Sequence, residues 1–287
     1  MRRIHILHRT YYNFAAFVRL NPHRLMMRPR EGRDVHIEAE KLEITPAATL
    51  RWLRDECDNY VAVASFDAPA RQLVISSEVV VRHEDANPFE FLVDETAVHY
   101  PFHFDAETQV ALQPLIAQPE ESGDRDALLK WIHGFWKPGE SIETYGLLWR
   151  LCSAIPKAFQ YQRREEPGVQ RVAETLSRGS GTCRDFARLL MEAARVLGLP
   201  ARFVSGYLCA PNAVWDFGAT HAWVEIYLPG AGWLGFDPTL GELANGKHVA
   251  VAIGRVADAV PPIRGSFYGP SSSHMSVGVW VTELAER

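Results

Sequence analysis

Short β-strand patterns fill about the first 115 residues, and they limit the possible folds more than any other feature. Residues 4–8 and 35–40 alternate between apolar and polar side chains, whereas residues 61–66 and 73–81 are rich in β-branched residues and bounded by Pro, Asp and Asn. Strands at this spacing are typical of an antiparallel sandwich of about 100 residues. The sequence therefore predicts an N-terminal antiparallel β-sandwich domain over residues 1–117.

Helices enter the pattern in the second part of the chain. Residues 118–124 are polar and contain Pro, Ser and Gly, which predicts a linker. Helical patterns follow over residues 124–132 and 141–155, and a third helix and several strands come after them. A chain of 287 residues commonly forms two domains. We therefore predict an α+β fold with a second domain over residues 118–287.

Charge and composition exclude several classes of function. The 30 Lys and Arg residues are nearly balanced by 35 Asp and Glu residues, so the chain lacks the basic surface expected of a nucleic-acid-binding protein. The sequence has no apolar run of about 18 residues, and the arginines at its start are not followed by the apolar stretch of a signal peptide. The four cysteines are too few and too scattered for a disulfide scaffold. These features predict a cytoplasmic protein that binds neither nucleic acid nor membranes.

Cys183 is the residue that most suggests catalysis. It follows the turn formed by residues 179–182, which contains two glycines, and it begins a helix whose apolar residues are Phe186, Leu189, Leu190, Ala193 and Leu197. The unpaired N–H groups and the dipole of a helix N-terminus stabilise a thiolate, which is the nucleophilic form. The alternative is a structural role, because free cysteines are often small buried apolar residues. A structural role is expected for Cys57, Cys152 and Cys209, which follow no such turn.

His221 and Asp237 lie on a predicted β-hairpin. Residues 220–228 alternate, with His221 on the polar and aromatic face, and residues 232–237 run back after a turn. A three-residue turn would place His221 and Asp237 on the same side of the sheet, two positions apart on the diagonal. The carboxylate could then orient the imidazole, with Nδ1–H towards Asp237 and Nε2 towards Cys183. Each residue alone could be structural, but the three together suit covalent acyl transfer.

Several motifs resemble the bacterial transglutaminase-like family, whose members are often described as cysteine proteases. The core motifs are GSGTCRDFA at 179–187, LGLPARFVSGY at 197–207, THAWVE at 220–225 and GWLGFDPT at 232–239. Residues 8–30 and 248–255 resemble the family's N-terminal β region and C-terminal strands.

This resemblance implies a papain-like catalytic domain with a Cys–His–Asp triad. In such a domain Cys183 would be the nucleophile, His221 the general base and acid, and Asp237 the residue that orients the imidazole. The implied substrate is a carboxamide of a protein, a peptide or a small amide. The acyl-thioester would then pass to an amine or to water, a choice that the residue types leave open.

The resemblance also suggests residues around the nucleophile. The backbone N–H of Cys183 is the first expected oxyanion donor. Tyr161 is the candidate for the second, with Gln160 and Gln162 as alternatives, because family members supply an aromatic or Gln side chain in this region. Trp223 shares the face of His221 and could wall the site. Many relatives carry Gln at the position of Arg184. We expect the Arg184 side chain in this sequence to pair with a carboxylate.

Two other functions compete with the enzyme hypothesis. The chain could be a binding or scaffold module that keeps the fold without the activity. It could also be a Cys/His zinc protein, although a closed zinc site needs four ligands and only Cys183 and His221 are predicted to lie together. The sequence has no calcium-binding loop of the D-x-[DN]-x-[DN]-G type, so neither a metal nor another cofactor is expected.

Overall fold

The N-terminal strands form two antiparallel sheets packed face to face. The computed structural model describes residues 1–84, 87–116, 122–164, 168–209, 220–270 and 272–285. The strands are β1 (Arg2–Leu20), β2 (His23–Leu25), β3 (Val35–Thr45), β4 (Thr49–Arg54), β5 (Tyr60–Ser65) and β6 (Ala70–His83). One sheet has the order β1-β6-β3 and the other β2-β5-β4. Buried side chains of both sheets, such as Val18, Leu73 and Ala62, form a shared core, so the predicted sandwich is confirmed.

Five α-helices and twelve further strands follow within the described residues. The helices are α1 (Ala106–Leu112), α2 (Ser122–Ile132), α3 (Thr144–Ala158), α4 (Val172–Arg178) and α5 (Cys183–Val196). Four two-residue strands are β7 (His99–Tyr100), β8 (Ile142–Glu143), β9 (Gln160–Tyr161) and β10 (Ser180–Gly181). The main strands are β11 (Ala201–Leu208), β12 (His221–Leu228), β13 (Gly232–Asp237), β14 (Glu242–Leu243) and β15 (His248–Gly254). They form one antiparallel sheet in the order β14-β13-β12-β11-β15.

Helix α5 packs along one face of this second sheet. Its predicted apolar stripe is buried as expected, and it meets the apolar side of β12 formed by Ala222, Val224, Ile226 and Leu228. Glu192 and Arg195, which the helical pattern places off the stripe, are buried as well. The Arg195 guanidinium donates to the carbonyl oxygens of Ala201 and Arg255, which makes this burial possible. Helix α5 is therefore a central helix, held against neighbouring backbone near its C-terminal end by Arg195.

The last strands return to the N-terminal sheets. They are β16 (Ile263–Arg264), β17 (Phe267–Tyr268) and β18 (Ser273–Leu284). β16 pairs with β2, whereas β17 and β18 pair with β1 along the edge that β6 leaves free. The predicted second domain, residues 118–287, includes these strands, although they pair with strands of the N-terminal sheets. The predicted linker at residues 118–124 lies mostly outside the described residues, and the boundary itself stays a prediction.

A buried junction joins the sandwich to the second sheet. Ile4 and Val79 of the sandwich pack against Tyr207 of β11 and Val249 of β15. The buried His8 adds a hydrogen bond between its Nδ1 and the Tyr207 hydroxyl at 3.0 Å. The second sheet is thus held against the N-terminal sandwich by apolar contacts around a polar pair. Among the described residues, no helix combines the length and the apolar character required to cross a lipid bilayer.

Candidate active site

The N-terminus of α5 is tightly held. The Thr182 hydroxyl caps the helix by accepting from the Asp185 N–H, and the Asp185 carboxylate accepts from the Thr182 N–H at 2.8 Å. The same carboxylate accepts from the Gln170 N–H at 2.7 Å and from the Arg164 guanidinium at 3.1 Å. These bonds fix the first turn, and with it the backbone of Cys183. Arg164 was not singled out from the sequence, because its contact with Asp185 depends on how the preceding loop folds.

Cys183 lies at the start of this helix, beneath the edge of the second sheet. It is 6% exposed, and its Sγ lies 4.0 Å from the Thr220 carbonyl oxygen. Thr220 directly precedes His221, the first residue of β12. The Cys183 side chain also lies close enough to the His221 ring to raise the pKa of the imidazole. The structure therefore brings together the cysteine and the histidine that the sequence singled out.

The hairpin formed by β12 and β13 has the predicted register. Leu228 pairs with Gly232 and Tyr227 with Trp233, as a three-residue turn requires. His221 and Asp237 consequently share a side of the sheet, and His221 Nε2 lies 2.7 Å from Asp237 Oδ2. The prediction that these two side chains meet is confirmed.

The imidazole is turned the other way from our expectation. We predicted Nδ1 towards Asp237 and Nε2 towards Cys183, but Nε2 is the atom that contacts the carboxylate. Because Asp237 lies on the neighbouring strand, it is contacted by Nε2, which is the ring nitrogen farther from the His221 backbone. Nδ1 is then the nitrogen left for the contact with Cys183.

Asp237 is fully buried and surrounded by hydrogen-bond donors. Its Oδ1 accepts from the N–H groups of Thr239 at 2.8 Å and Leu240 at 3.3 Å. Its Oδ2 accepts from His221 and also from His248 Nε2, at 3.0 Å. Burial opposes ionisation of Asp237, but the two histidines outweigh this effect and hold its pKa far below the usual value.

His221 is buried too, yet the charged form of its ring is favoured. Burial alone would lower its pKa, but the Asp237 carboxylate and the hydrogen bonds to Asp237 and Cys183 outweigh burial, so the pKa is raised well above its usual value. A protonated imidazole beside a sulfur atom at a helix N-terminus is the setting in which a cysteine acts as a thiolate nucleophile.

His248 is a site residue that sequence reasoning did not identify. It begins β15, which is separated from β13 by β12 and β11 in the sheet, and the chain between residues 238 and 247 leads from Asp237 back to it. Register arguments connect only neighbouring strands and therefore could not place it. The one available signal was its position at the start of a motif that resembles the family's C-terminal strands.

The two histidines and Asp237 also form a possible metal-binding group, since one atom from each lies within 4.8 Å of the others. The hydrogen bonds argue against this use. The backbone N–H of Asn245 donates to His248 Nδ1 at 3.1 Å, so the proton of the neutral ring lies on Nε2. A histidine that ligates a metal through Nε2 normally donates a hydrogen bond from Nδ1, whereas His248 Nδ1 accepts one, so the donor set does not fit an ion.

Residues 160–162 lie directly beside the nucleophile turn. β9 pairs with β10 in parallel, with Tyr161 opposite Gly181. The Gln160 and Gln162 N–H groups donate to the carbonyl oxygens of Gly179 and Gly181, at 2.8 and 2.9 Å. The Tyr161 ring packs edge-on against Phe186 of α5, with ring centroids 6.4 Å apart. The candidate oxyanion residues are thus in the right neighbourhood, and their role stays a prediction.

Trp223 and Arg184 complete the surroundings. The Trp223 indole stacks on the His221 ring with ring centroids 6.2 Å apart, so it covers one side of the imidazole as expected. It also meets the His248 ring edge-on, with centroids 5.1 Å apart. The expectation that Arg184 pairs with a carboxylate is wrong. Its Nη2 donates to the Ala257 carbonyl oxygen at 2.5 Å, and its guanidinium lies over the Phe203 ring. The half-buried Arg184 guanidinium therefore lies between a backbone carbonyl oxygen and an aromatic ring.

The fold and the geometry of the site define a papain-like class of cysteine-enzyme relatives: a cysteine at the start of a central helix faces a histidine and an aspartate on an antiparallel hairpin. Residues 143–238 match the model of the transglutaminase-like superfamily, and residues 4–82 match the bacterial transglutaminase-like N-terminal region. Together the two matched ranges cover more than half of the chain. The chain belongs to the bacterial transglutaminase-like proteins.

Three known proteins illustrate the relationship. An uncharacterised protein from Mycobacterium tuberculosis is 28% identical over 289 aligned positions, covering 94% of this chain and 89% of its own. A protein-glutamine gamma-glutamyltransferase from Pseudomonas aeruginosa is 43% identical over 67 positions, which cover 21% of this chain and 10% of its own. The crystal structure of a candidate cysteine protease from Cytophaga hutchinsonii matches with a TM-score of 0.74 at 20% identity, over 100% of this chain and 92% of its own. This last likeness shows a shared fold.

Proposed function

We propose that this protein is a cysteine enzyme that forms a thioester with the acyl group of a carboxamide and passes it to an amine or to water. Cys183 is the nucleophile, His221 the general base and acid, and Asp237 the orienting carboxylate. The observation that carries the proposal is the buried arrangement in which His221 contacts Asp237 at 2.7 Å and lies beside Cys183, whose Sγ is 4.0 Å from the carbonyl oxygen of the preceding residue, Thr220.

The reaction begins with attack of the Cys183 thiolate on the amide carbonyl carbon. A C–S bond forms, and the electron pair of the C=O bond moves to oxygen. The Cys183 N–H is the natural first donor to this oxyanion, and such a donor contributes about 3–4 kcal/mol. When the intermediate collapses, His221 gives the proton on Nδ1 to the departing nitrogen, the C–N bond breaks, and a thioester remains.

The second half returns the enzyme to its starting state. Water or a primary amine attacks the thioester, and His221 Nδ1 removes a proton from the attacking atom. The C–S bond breaks and the thiolate is regenerated. Throughout, the contact between His221 Nε2 and Asp237 keeps the imidazole aimed at the sulfur. Trp223, stacked on His221, shields this pair from water.

The proposed substrate class is the side-chain carboxamide of glutamine or a peptide amide, on a protein, a peptide or a small molecule. The segment shared with the Pseudomonas aeruginosa protein-glutamine gamma-glutamyltransferase, at 43% identity, supports glutamine as the acyl donor. We also propose a cytoplasmic location, because a reducing compartment keeps the thiol of Cys183 available.

The test offers the purified protein a glutamine-containing peptide together with a fluorescent primary amine, and in parallel a fluorogenic peptide amide. Expected results are amine incorporation or amide hydrolysis, and a peptide adduct on Cys183 by mass spectrometry. Cys183→Ala should abolish turnover, whereas Cys57→Ala, a change in a turn of the sandwich, should not. Full turnover by Cys183→Ala would overturn the proposal. Peptide binding with no turnover by either protein would favour the binding-module alternative.

A further inference from the structure

His248 shares the Asp237 carboxylate with His221. Both Nε2 atoms contact the same oxygen, Oδ2, at 3.0 and 2.7 Å, and all three side chains are at most 2% exposed. We infer that His248 is a positioning residue of the catalytic site: it holds the Asp237 carboxylate so that His221 presents Nδ1 to Cys183. This inference rests on the proposed function.

The turn before β15 fixes the proton of His248. A backbone N–H can only donate, so the 3.1 Å contact from the Asn245 N–H makes Nδ1 an acceptor and puts the proton on Nε2. The turn is held further by the His248 N–H, which donates to the Asn245 carbonyl at 2.8 Å, and by the Lys247 N–H, which donates to the Asn245 side chain at 3.0 Å. Residues 245–248 therefore present a neutral His248 with its Nε2–H aimed at Asp237.

The consequence for Asp237 is that both of its oxygens are occupied. Oδ1 accepts from the Thr239 and Leu240 N–H groups, and the two lone pairs of Oδ2 accept from the two histidines. A carboxylate that accepts four hydrogen bonds is a weak base, so it orients the His221 Nε2–H without taking its proton. Proton exchange in the reaction is thereby confined to Nδ1, the side that faces Cys183.

Trp223 makes the two histidines one packed unit, because it stacks on His221 and meets His248 edge-on. Beyond it lies a groove of about 420 Å³ that His248 and Trp223 help to line. The charged and titratable groups around His248 are Asp237, His221, Glu242 through its contact with Asn245, Lys247, and the groove residues Arg33, Asp34, His83, Glu90 and Glu225. Among them, Asp237 is the group that His248 contacts directly.

The test replaces the donor and then restores it. His248→Leu removes the Nε2–H, whereas the amide of His248→Gln can still donate to Asp237. We expect His248→Leu to lower kcat for the glutamine peptide and fluorescent amine roughly 10- to 100-fold, the effect of one lost bond to a charged group, with KM little changed. We expect His248→Gln to recover most of the loss. The matched control is His23→Leu, which removes a buried histidine of the sandwich and should leave kcat unchanged.

A second readout does not depend on turnover. The rate of Cys183 alkylation by iodoacetamide is measured as a function of pH. We expect the curve of rate against pH for His248→Leu to be shifted along the pH axis from the native curve. The curve for His248→Gln should coincide with the native one. In the native protein, nitrogen NMR shifts should show His248 protonated on Nε2 and not on Nδ1. This measurement decides the question if His248→Leu does not fold.

The outcomes separate the two proposals. A native alkylation profile and native kcat for folded His248→Leu, or a proton on His248 Nδ1, overturns the positioning role. If Cys183→Ala still abolishes turnover in that case, the proposed function stands. Turnover by Cys183→Ala overturns the function, while the alkylation profile and the NMR shifts still show whether His248 positions the site.

Discussion

His8, which is buried where the N-terminal sandwich packs against the second sheet, makes the stability of this protein sensitive to acid. His8 is 2% exposed, and it contacts the Tyr207 hydroxyl at 3.0 Å and the Thr10 hydroxyl at 3.3 Å. Burial lowers its pKa from 6.5 to about 4. Between pH 6.5 and about 4, His8 therefore binds a proton in the unfolded chain but not in the folded chain.

The size of the effect follows from that difference in pKa. At about 1.4 kcal/mol for each pKa unit, the free energy of unfolding falls by about 3 kcal/mol between the two values. The sign is fixed by linkage: stability is greatest above pH 6.5 and is lost as the pH falls from 6.5 to about 4. Replacing His8 by the non-titrating Asn, which can still contact Tyr207, should remove this component.

The assay is urea unfolding followed by tryptophan fluorescence, for native protein and His8→Asn, at several pH values between 7 and 4. Other groups titrate in both proteins, so the informative quantity is the difference in unfolding free energy. As the pH falls, we expect the unfolding free energy of the native protein to decrease by about 3 kcal/mol more than that of His8→Asn. His274→Asn, a change at an exposed histidine on β18, is the control. If the curves of native protein and His8→Asn stay parallel within about 1 kcal/mol, the linkage argument is wrong.

Three further predictions concern the site and its support. Cys183 should react with iodoacetamide near neutral pH faster than the other three cysteines, whose pKa values are raised by burial, and equal rates by peptide mass spectrometry would contradict the assignment. Asp237→Asn should keep the fold by circular dichroism and lose roughly 10²–10⁴ in kcat, whereas unchanged turnover would remove it from the mechanism. Gly206→Ala should lower the unfolding free energy in urea by about 3 kcal/mol, because its Cβ would lie 2.2 Å from the Val249 carbonyl oxygen. Gly32→Ala, where a Cβ meets no atom within 4 Å, should cost much less, and equal losses would refute the packing argument.

The parts of the site that depend on local geometry were predictable from the sequence. The apolar spacing after Cys183 is a property of one helix, and the meeting of His221 with Asp237 follows from the length of one turn. Both arguments need only neighbouring segments, whose geometry is set by helix and strand periodicity. The antiparallel sandwich was predictable for a similar reason, because alternation identifies strands that have one buried face.

The parts that depend on distant segments were not predictable. A strand pattern identifies a strand but not its partner, so nothing in residues 273–284 pointed to their pairing with β1. His248 reaches Asp237 from a strand three positions away in the sheet. The orientation of the His221 ring and the burial of Arg195 likewise depend on which atoms other segments place nearby.

The pairing of β1 with β18 has a consequence for the order in which the molecule is made. Residues 2–20 leave the ribosome long before residues 273–284, so a dozen residues of β1 find their second neighbour only late in translation. Until then β1 presents an open edge, which is the kind of surface that recruits strands from other nascent chains. A product that stops before Ser273 would lack this partner strand, so we expect it to aggregate more readily than the full sequence.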